Sequence, residues 1–322
     1  MNLSVIIVNW NSKDNLEKCI ASIFRNTEGI NYEIIVIDSA SFDGCEHMLR
    51  NRYPQVHFIQ STTNLGFAKA NNQAYQESLG DYLLFLNPDT ELVSPAIKAL
   101  YNAILDLPDA GIVGGKLLKG DGSVQTNCIQ ATPTILNQLL DSDYLRSRFP
   151  LSPLWGAACL YEDTSEPQVV DVLSGACLLV SRTVFERVGL FSEDYFMYGE
   201  DIDLCYKVRM AGHKNYYVPT ASLFHFGGGS TDNSSSNFSA VMQRESICVF
   251  LRRTRGATYS LCYRVAMLFS ALGRMLFLAS TRPLHTATRY RRSRHASFQK
   301  WKTILAWSVI RKQGVNRCRT SG

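Results

Sequence analysis

The fold of this chain is decided by one stretch, Asp81-Tyr-Leu-Leu-Phe-Leu-Asn-Pro-Asp-Thr-Glu91. Its apolar residues 82–86 run without a break and end in Asn87-Pro88-Asp89, which is typical of a strand buried on both faces of a parallel sheet. Proline has no amide hydrogen, so strand pairing is expected to stop there. Asp89 then follows the carboxyl end of the strand, where open α/β sheets bind ligands. The alternative interpretation is an ordinary Pro-Asp turn.

The residues before this stretch alternate between strand and helix patterns. Strands are predicted at 3–8, 33–38, 56–59 and 82–87, with helices following the first three. Ser12 is expected to cap the first helix with its side chain. Alternation at a spacing of roughly 30 residues predicts a parallel, doubly wound α/β sheet. No Gly-x-Gly-x-x-Gly follows the first strand, which argues against a dinucleotide-binding dehydrogenase.

Further strands are predicted in the second half of the chain. They lie at 111–114, at 169–180 with an interruption at Gly175, at 216–218 and at 222–226. A glycine within a strand allows the backbone to approach a ligand closely. A hairpin is predicted at 116–124, turning at 120–122.

Three carboxylates, Glu200, Asp201 and Asp203, crowd the first turn of a helix predicted after Gly199. Acidic residues there are favoured by the helix dipole, so helix capping is one interpretation, and a catalytic role is the other. His225 precedes three glycines at the end of an apolar strand. A core histidine is common in such a strand, but the adjoining glycines favour a ligand-binding residue.

The net charge of +5 hides an uneven distribution along the chain. From Arg244 onward there are 17 lysines and arginines but one acidic residue, so this part carries +16 and the rest −11. Such asymmetry predicts two parts with different partners, a domain at 1–245 and a basic helical extension at 246–322. The nine cysteines lack metal-like spacing, which indicates reduced thiols in a cytosolic setting.

Several short motifs occur in a characteristic order over about residues 1–245. They are Val8-Asn-Trp-Asn11, Asp38 with Asp43-Gly44, the stretch from Asn64-x-Gly66 to Asn72, Asn87-Pro-Asp89, Ser174-Gly-Ala176, Gly199-Glu-Asp-x-Asp203 and His225 with its glycines. Together they resemble the family 2 glycosyltransferases with the GT-A fold, and within that family the rhamnosyltransferase-like members.

The resemblance implies a role for each of these residues. It implies that Asp201 is the catalytic base, with Glu200 as the alternative base. It implies that Asp89 and His225 hold a divalent metal, Mg²⁺ or Mn²⁺, on the diphosphate of the donor, and that Asp38 contacts the base of the donor. The other nucleotide-sugar residues that it implies are Asn9, Asp43, Asn64, Gly66, Asn72 and Asn87, and the acceptor residues are Trp10, Ser174 and Gly175.

The residue types fit this chemistry. A nucleotide-sugar diphosphate leaves with negative charge, which a hard cation with oxygen ligands neutralises. An inverting transfer needs one base to take the proton of the acceptor hydroxyl. Asn87 departs from the family pattern, because many members have a first aspartate there. With one anionic ligand fewer, modest metal affinity is expected, and the sugar is an alternative contact for Asn87.

The basic extension contains a 20-residue apolar stretch, 261–280, which includes Arg264 and Arg274. Near a bilayer centre each arginine costs about 2.5–3.5 kcal/mol, while each Leu, Val or Phe returns roughly 0.3–0.6 kcal/mol, so insertion roughly breaks even. Both arginines lie away from one apolar face of the predicted helix, which favours a helix lying in the membrane surface over a spanning helix. That face comprises Val265, Leu268, Phe269, Leu272 and Leu276.

A basic run follows this helix. Its members are Arg289, Arg291, Arg292, Arg294, Lys300 and Lys302, with Trp301 and Trp307 nearby. An anionic membrane surface is the expected partner because the adjacent helix is apolar. Nucleic acid is the other partner such a run can have, and it is not expected here. A basic helical subdomain packed on the enzyme is the third interpretation.

These observations predict a metal-dependent inverting glycosyltransferase, peripheral on the cytoplasmic face of a cell membrane. The expected reaction moves rhamnose from a nucleotide-diphosphate donor to a lipid-linked glycan in cell-surface polysaccharide synthesis. One alternative is a galactofuranosyl or other hexosyl transferase of the same fold. The other is a catalytically inactive nucleotide-sugar-binding protein that serves as a membrane scaffold.

Overall fold

The stretch at 82–86 forms a strand near the middle of a mixed sheet. The computed structural model describes residues 1–227, 236–280 and 288–309, and nine strands form one sheet within them. The strands are β1 (Leu3–Asn9), β2 (Tyr32–Ser39), β3 (His57–Ser61), β4 (Tyr82–Leu86), β5 (Thr90–Leu92), β6 (Ala110–Leu118), β7 (Ile129–Gln130), β8 (Gln168–Val170), β9 (Val172–Leu173), β10 (Cys177–Ser181) and β11 (Lys214–His225). Their order is β3-β2-β1-β4-β10-β6-β11-β5, β8 also pairs with β11, and β7 pairs with β9 separately.

The helices divide between two compact units. They are α1 (Lys13–Asn26), α2 (Cys45–Arg52), α3 (Gly66–Gln76), α4 (Ala96–Asp106), α5 (Ile135–Leu139), α6 (Asp143–Arg148), α7 (Arg182–Arg187), α8 (Glu200–Met210), α9 (Ser236–Arg255), α10 (Ala257–Ser280) and α11 (Thr288–Val309). The first unit comprises Met1–Thr132, Ser142–Phe196 and Glu200–Ser230, and the second comprises Pro133–Asp141, Met197–Gly199 and Thr231–Gly322. The second unit therefore contains α5, α9, α10 and α11.

The first half of the sheet is parallel, as the strand–helix alternation predicts. β1 runs parallel to both β2 and β4, and β2 runs parallel to β3. The central strands are buried on both faces, with Ile6 and Phe85 both fully inaccessible. Burying such a side chain contributes about 1.5–3 kcal/mol. The predicted α/β class is confirmed, and the carboxyl ends of β2, β1 and β4 lie side by side.

The second half of the sheet differs from the sequence prediction in two places. The single strand predicted at 169–180 is wrong, because the segment forms β8, β9 and β10, and β10 runs antiparallel between β4 and β6. The two strands predicted at 216–218 and 222–226 are one strand, β11, with an irregularity between Val218 and Ser222. Pro219 lies in that irregularity, where it has no amide hydrogen to contribute to the ladder.

The predicted cap of α1 is wrong. Ser12 occupies the N-cap position but its side chain makes no capping hydrogen bond, and its hydroxyl instead donates to the carbonyl oxygen of Trp10. The free amide of Lys13 donates to the Oδ2 of Asp43 at 2.9 Å. A carboxylate from the loop after β2 thus stabilises the start of α1, which local sequence cannot reveal.

The second unit packs three long helices around a small core. Tyr263, Met267 and Ala271 of α10 and Ile304 of α11 are fully buried. The guanidinium of Arg264 lies 4.6 Å from the ring centroid of Trp307, and that of Arg274 lies 4.5 Å from that of Trp301. By length and composition α10 is the one described helix that is long and apolar enough to cross a membrane, with 17% of its apolar window buried.

Candidate active site

Most of the residues that the sequence motifs single out lie at the carboxyl edge of the parallel strands. Asn9 is the last residue of β1 and Asp38 the penultimate residue of β2, and the two are direct register partners. β1 also pairs with β4, and Asn87 directly follows β4. The loops at this edge hold strained backbone, because Asn11, Ala40 and Phe42 all have positive φ angles. Such strain is common where loops shape a binding site.

Asp38 is fully buried, and both of its carboxylate oxygens accept hydrogen bonds. Oδ2 accepts from the amide of Phe42 at 3.1 Å and from Gln60 at 2.8 Å, and Oδ1 accepts from the Ser41 hydroxyl and from Asn9. Burial alone would raise the pKa of Asp38, but the hydrogen bonds from Ser41, Gln60, Phe42 and Asn9 outweigh it and lower the pKa. Asp38 is therefore ionised and anchors the loop after β2.

Asp38, Asp43 and Cys45 bring ligand-type atoms within 4.8 Å of one another. The side-chain amide of Asn9 lies among them and donates to Asp38 at 2.8 Å and to Asp43 at 3.2 Å. Burial and the charge of Asp38 raise the pKa of the Cys45 thiol, which favours its protonated form. The neutral Asn9 amide therefore joins the two carboxylates through its hydrogen bonds.

Asn64 and Gly66 shape the start of α3 beside β2. The Oδ1 of Asn64 accepts from the Ser39 hydroxyl at 3.3 Å and from the Gly66 amide at 3.0 Å. Gly66 has a φ angle of +70°, and a Cβ atom there would lie 2.3 Å from the carbonyl oxygen of Phe196. Only glycine fits this turn, since both the backbone conformation and the close contact exclude a side chain.

Asn72 is buried, and its side-chain amide forms hydrogen bonds with the backbone of Phe191. Its Nδ2 donates to the Phe191 carbonyl at 2.9 Å and its Oδ1 accepts from the Phe191 amide at 3.1 Å. Trp10 is half-buried in the loop after β1. The nucleotide role of Asn72 and the acceptor role of Trp10 stay predictions.

Asp89 and His225 lie together where β4 and β11 end. The Nε2 of His225 is 3.3 Å from the Oδ1 of Asp89, and their side chains are only 15% and 12% exposed. Asn87 contributes its Nδ2, which is also 3.3 Å from Nε2 of His225. A carboxylate, an imidazole and an amide from distant parts of the sequence therefore converge in one partly buried place.

Asp201 lies in the first turn of α8 and contacts the loop that carries Ser174 and Gly175. Its Oδ2 accepts a hydrogen bond of 2.9 Å from the Gly175 amide. The same loop is bonded to the end of β4, because the Asn87 amide donates to the carbonyl of Ala176 at 3.0 Å. The loop at 174–176 therefore links the segment of the Asp89 and His225 pair to Asp201.

Glu200 and Asp203 differ from Asp201 in their surroundings. Glu200 is buried, and its Oε2 has no hydrogen-bond partner among the described residues. Burial and the charge of Asp201 raise the pKa of Glu200 well above its ordinary value, which favours the neutral acid. Asp203 is also buried, and it accepts hydrogen bonds from Ser192 at 2.5 Å and Tyr195 at 3.2 Å, so it holds the start of α8 in place.

Residues 4–189 match the family described as glycosyl transferase family 2. The chain belongs to this family. It is 32% identical over 262 residues to an N-acetylglucosaminyl-diphospho-decaprenol L-rhamnosyltransferase of Mycobacterium tuberculosis, covering 77% of this chain and 83% of the relative. It is 28% identical over 237 residues to the rhamnosyltransferase WbbL of Escherichia coli, covering 69% of this chain and 82% of the relative. The chain is thus a glycosyltransferase.

Among solved structures, the chain is similar to the mannosyltransferase PcManGT of Pyrobaculum calidifontis in complex with GDP-mannose and Mn²⁺. The TM-score is 0.59 at 16% identity, and the match covers 96% of this chain and 86% of that one. Because the identity is only 16%, this similarity is evidence for the fold alone. The glycosyltransferase has the GT-A type of fold, a mixed and mostly parallel sheet with helices at the C-terminus.

The residues at the ends of β4 and β11 fit a divalent cation. Carboxylate oxygen and imidazole nitrogen are both accepted by Mn²⁺. Two ligands at neighbouring corners of one octahedral ion, each about 2.1 Å from it, lie about 3 Å apart. The observed separation of Asp89 Oδ1 and His225 Nε2 is 3.3 Å, and both groups are largely shielded from water.

The sequence analysis did not identify two glutamines of the site. Gln60 donates to Asp38, and Gln125 contacts His225. Neither lies in a recognisable motif, and Gln125 is 100 residues away from its partner in the sequence. Sequence alone gives no signal for such a contact.

Proposed function

We propose that the enzyme transfers rhamnose from a nucleotide-diphosphate donor to a lipid-linked glycan during synthesis of a cell-surface polysaccharide. The pair of Asp89 and His225, 3.3 Å apart at the carboxyl edge of the sheet, carries this proposal. Two relatives, from M. tuberculosis and E. coli, are named as rhamnosyltransferases, and the name of the first specifies a diphospho-decaprenol acceptor. These names support the choice of sugar and of acceptor.

In this proposal, each residue of the site has one task. Asp89 and His225 hold Mn²⁺ or Mg²⁺, which when bound offsets the charge of the departing nucleoside diphosphate. Asp201 takes the proton of the acceptor hydroxyl as that oxygen attacks the sugar carbon, with inversion. Asn87, whose Nδ2 lies 3.3 Å from the Nε2 of His225, is assigned to the sugar of the donor.

The difference in solvent exposure between the two side chains supports Asp201, and not Glu200, as the catalytic base. Asp201 is partly exposed, whereas the carboxyl group of Glu200 is buried. A base must lie within hydrogen-bond reach of the acceptor hydroxyl, so a buried carboxyl group is poorly placed for this task. The Gly175 amide also helps to orient the carboxylate of Asp201, because it donates to the Oδ2.

The nucleotide end of the donor is assigned to the residues after β1 and β2. Asn9, Asp38 and Asp43 form one hydrogen-bonded group, and Ser39 connects it to Asn64 at the start of α3. This continuous polar edge supports a nucleoside site, to which Gly66 and Asn72 are also assigned, whereas Trp10 is assigned to the acceptor. Ser174 and Gly175 are proposed to face the acceptor, because their loop contacts Asp201.

A donor screen tests this proposal. Purified enzyme with Mn²⁺ or Mg²⁺ is mixed with dTDP-rhamnose, UDP-galactofuranose, UDP-glucose and GDP-mannose, and the unfolding temperature is measured. A ligand present at 100 times its Kd stabilises the folded state by about 2.7 kcal/mol. Stabilisation by dTDP-rhamnose alone, followed by transfer to a polyprenyl-diphosphate acceptor, is the expected result. A preference for another donor would assign a different hexosyl transfer.

Donor hydrolysis distinguishes an enzyme from an inactive scaffold. Slow release of free sugar from the preferred donor, dependent on metal and lost in Asp89→Ala, is expected of an enzyme. Donor binding without any hydrolysis or transfer would support the scaffold interpretation.

The second unit is proposed to lie on the cytoplasmic surface of a cell membrane. One face of α10 is apolar and exposed, and we call it the α10 apolar face: Leu261, Val265, Phe269, Leu272 and Leu276. Arg264 and Arg274 stack on tryptophans of α11 and so do not interrupt it. A helix with one continuous apolar face lies in the membrane interface, whereas a spanning helix would expose both arginines to lipid.

Basic residues accompany this face in the same unit. Arg252, Arg255 and Lys302 are exposed, and each basic residue near an anionic surface contributes about 1 kcal/mol. Arg289, Arg291 and Arg292 of the predicted basic run have side chains outside the described residues. We propose 246–322 as the membrane-association extension and 1–245 as the catalytic domain. The compact second unit is larger than this extension, because it also contains 133–141, 197–199 and 231–245.

A further inference from the structure

The ring of His225 has a neighbour that the proposed mechanism does not use, Gln125. Its side chain is buried, and its Oε1 lies 3.0 Å from Nδ1 of His225. Its Nε2 donates to the backbone carbonyl oxygen of the same histidine. One glutamine therefore holds both the ring and the main chain of His225.

The orientation of the Gln125 amide follows from these two contacts. A carbonyl oxygen only accepts hydrogen bonds, so the NH₂ group of Gln125 must face the His225 carbonyl. The Oε1 must then face Nδ1 of the ring. Because Oε1 is also an acceptor only, Nδ1 must carry a hydrogen.

This arrangement decides the tautomer of the neutral ring. With hydrogen on Nδ1, the Nε2 carries a lone pair. Nε2 lies 3.3 Å from the Oδ1 of Asp89 and 3.3 Å from the Nδ2 of Asn87. A nitrogen lone pair and a carboxylate oxygen at this distance repel each other unless a metal ion or a proton lies between them.

The backbone of Gln125 is itself fixed by the hairpin after β6. The bridge between Leu118 and Val124 closes the predicted hairpin. The Gln125 amide donates to the carbonyl of Leu117 at 2.9 Å, and the Gln125 carbonyl accepts from the Cys128 amide at 3.1 Å. The glutamine is therefore held before any ligand arrives.

We propose that Gln125 is a positioning residue that keeps hydrogen on Nδ1 of His225 and directs the Nε2 lone pair to the divalent cation. The proposal rests on the metal role given to Asp89 and His225 above. Partners that fix a ligating histidine from its other nitrogen commonly contribute about 10–100-fold to metal affinity. Gln125 acts through the histidine and does not touch the substrate.

The first experiment measures Mn²⁺ affinity of the full chain by electron paramagnetic resonance of free Mn²⁺. Gln125→Met keeps the length of the side chain but removes both polar contacts, and it is expected to raise the Kd about 10–100-fold. Gln130→Met, five positions along, is the control and is expected to leave the Kd unchanged. Urea unfolding without metal shows whether either variant alters the fold.

The second experiment observes the tautomer directly in metal-free protein with ¹⁵N-labelled histidine. The chain has six histidines, and His225→Ala identifies the signal of interest. In the wild type the neutral ring is expected to carry its hydrogen on Nδ1. Gln125→Met is expected to move it toward Nε2, while Gln125→Glu, which keeps an acceptor, is expected to retain it on Nδ1.

The outcomes separate this inference from the function on which it rests. If His225→Ala binds Mn²⁺ as tightly as the wild type, the metal role fails and the role of Gln125 fails with it. If His225→Ala loses Mn²⁺ but Gln125→Met does not, Gln125 is not a positioning residue. Hydrogen on Nε2 in the wild type would also overturn the inference. Should Gln125→Met fail to fold, the tautomer of the wild-type ring decides, since the inference requires hydrogen on Nδ1.

Discussion

The backbone amide of Gly175 donates a hydrogen bond of 2.9 Å to the Oδ2 of Asp201. The contact joins the loop before β10 to the first turn of α8, and it fixes one carboxylate oxygen of the proposed base. Asp201 also accepts at Oδ1 from the Ile202 amide at 2.8 Å. Two backbone amides therefore orient this carboxylate.

Replacing Asp201 by Asn is expected to reduce transfer by about 10²–10⁴-fold, the usual contribution of a general base. Donor affinity should stay near that of the wild type, because the base acts on the acceptor. Transfer to a soluble acceptor and donor titration by calorimetry measure the two quantities. Glu200→Gln is the comparison, and it should retain more activity. An inactive Glu200→Gln beside an active Asp201→Asn would reverse the assignment.

The buried carboxyl group of Glu200 should make stability depend on pH. Burial and the charge of Asp201 raise its folded-state pKa above the ordinary value of 4.5. From about pH 4.5 up to the raised pKa, the folded state therefore binds more protons than the unfolded state, and stability falls as pH rises through this window.

Glu200→Gln imitates the neutral acid and is expected to remove this part of the pH dependence. Urea unfolding from pH 5 to 9 should show a flatter curve than the wild type, with the variant more stable at the upper end. Glu166→Gln, at an exposed position, is the control and should follow the wild-type curve. Parallel curves for Glu200→Gln and wild type would show that Glu200 does not hold a proton in the folded protein.

Metal-dependent donor binding should be lost when either side chain of the Asp89 and His225 pair is removed. Asp89→Ala and His225→Ala are each expected to weaken donor binding in the presence of Mn²⁺, and EDTA should weaken it in the wild type. Fluorescence titration with the preferred donor measures the effect. Full activity of the wild type in EDTA would rule out the metal and require a basic side chain near the diphosphate.

Gly66→Ala should destabilise the first unit. A Cβ at this position would lie 2.3 Å from the carbonyl oxygen of Phe196, and the φ angle is +70°. Backbone strain of this kind alone costs about 1–3 kcal/mol, and the contact adds to it. Gly189→Ala is the matched control, because its φ angle is +80° with nothing within 4 Å. Equal losses in urea unfolding would mean that the Phe196 contact is relieved cheaply.

Polar substitutions on the α10 apolar face should weaken membrane binding without unfolding the protein. Burying one Phe or Leu side chain is worth about 1.5–3 kcal/mol, so Phe269→Ser with Leu272→Ser is expected to weaken binding to anionic vesicles by about 100-fold or more. Leu105→Ser, on exposed surface of α4, is the control. Sedimentation with phosphatidylglycerol vesicles measures the affinity.

Salt distinguishes the two contributions to this binding. Charge attraction is screened within a Debye length of about 8 Å at physiological ionic strength, whereas apolar burial is not. Release by high salt is therefore expected to be partial. Resistance to carbonate extraction would indicate a spanning helix, and absence of vesicle binding would indicate a packed subdomain. Point substitutions suit this test better than truncation, because α9 buries Phe250 and Leu251 within the second unit.

The sequence by itself determined the parallel half of the sheet and the order of its motifs. The apolar run 82–86 predicts a strand, and Asn87-Pro88-Asp89 predicts where that strand ends, because proline has no amide hydrogen for strand pairing. The pattern of neighbouring residues also predicted α8 and its acidic first turn. These features depend on residues that are neighbours in the sequence, so their side-chain pattern is sufficient to predict them.

Only the tertiary structure decided which distant groups meet. It inserted β10 antiparallel between β4 and β6, it brought Asp43 to the start of α1, and it set Gln125 against His225. Each of these contacts joins segments at least 30 residues apart. The energies of these contacts depend on burial and on hydrogen-bond geometry, which exist only once the sheet is assembled. The pattern of neighbouring residues in the sequence therefore cannot predict them.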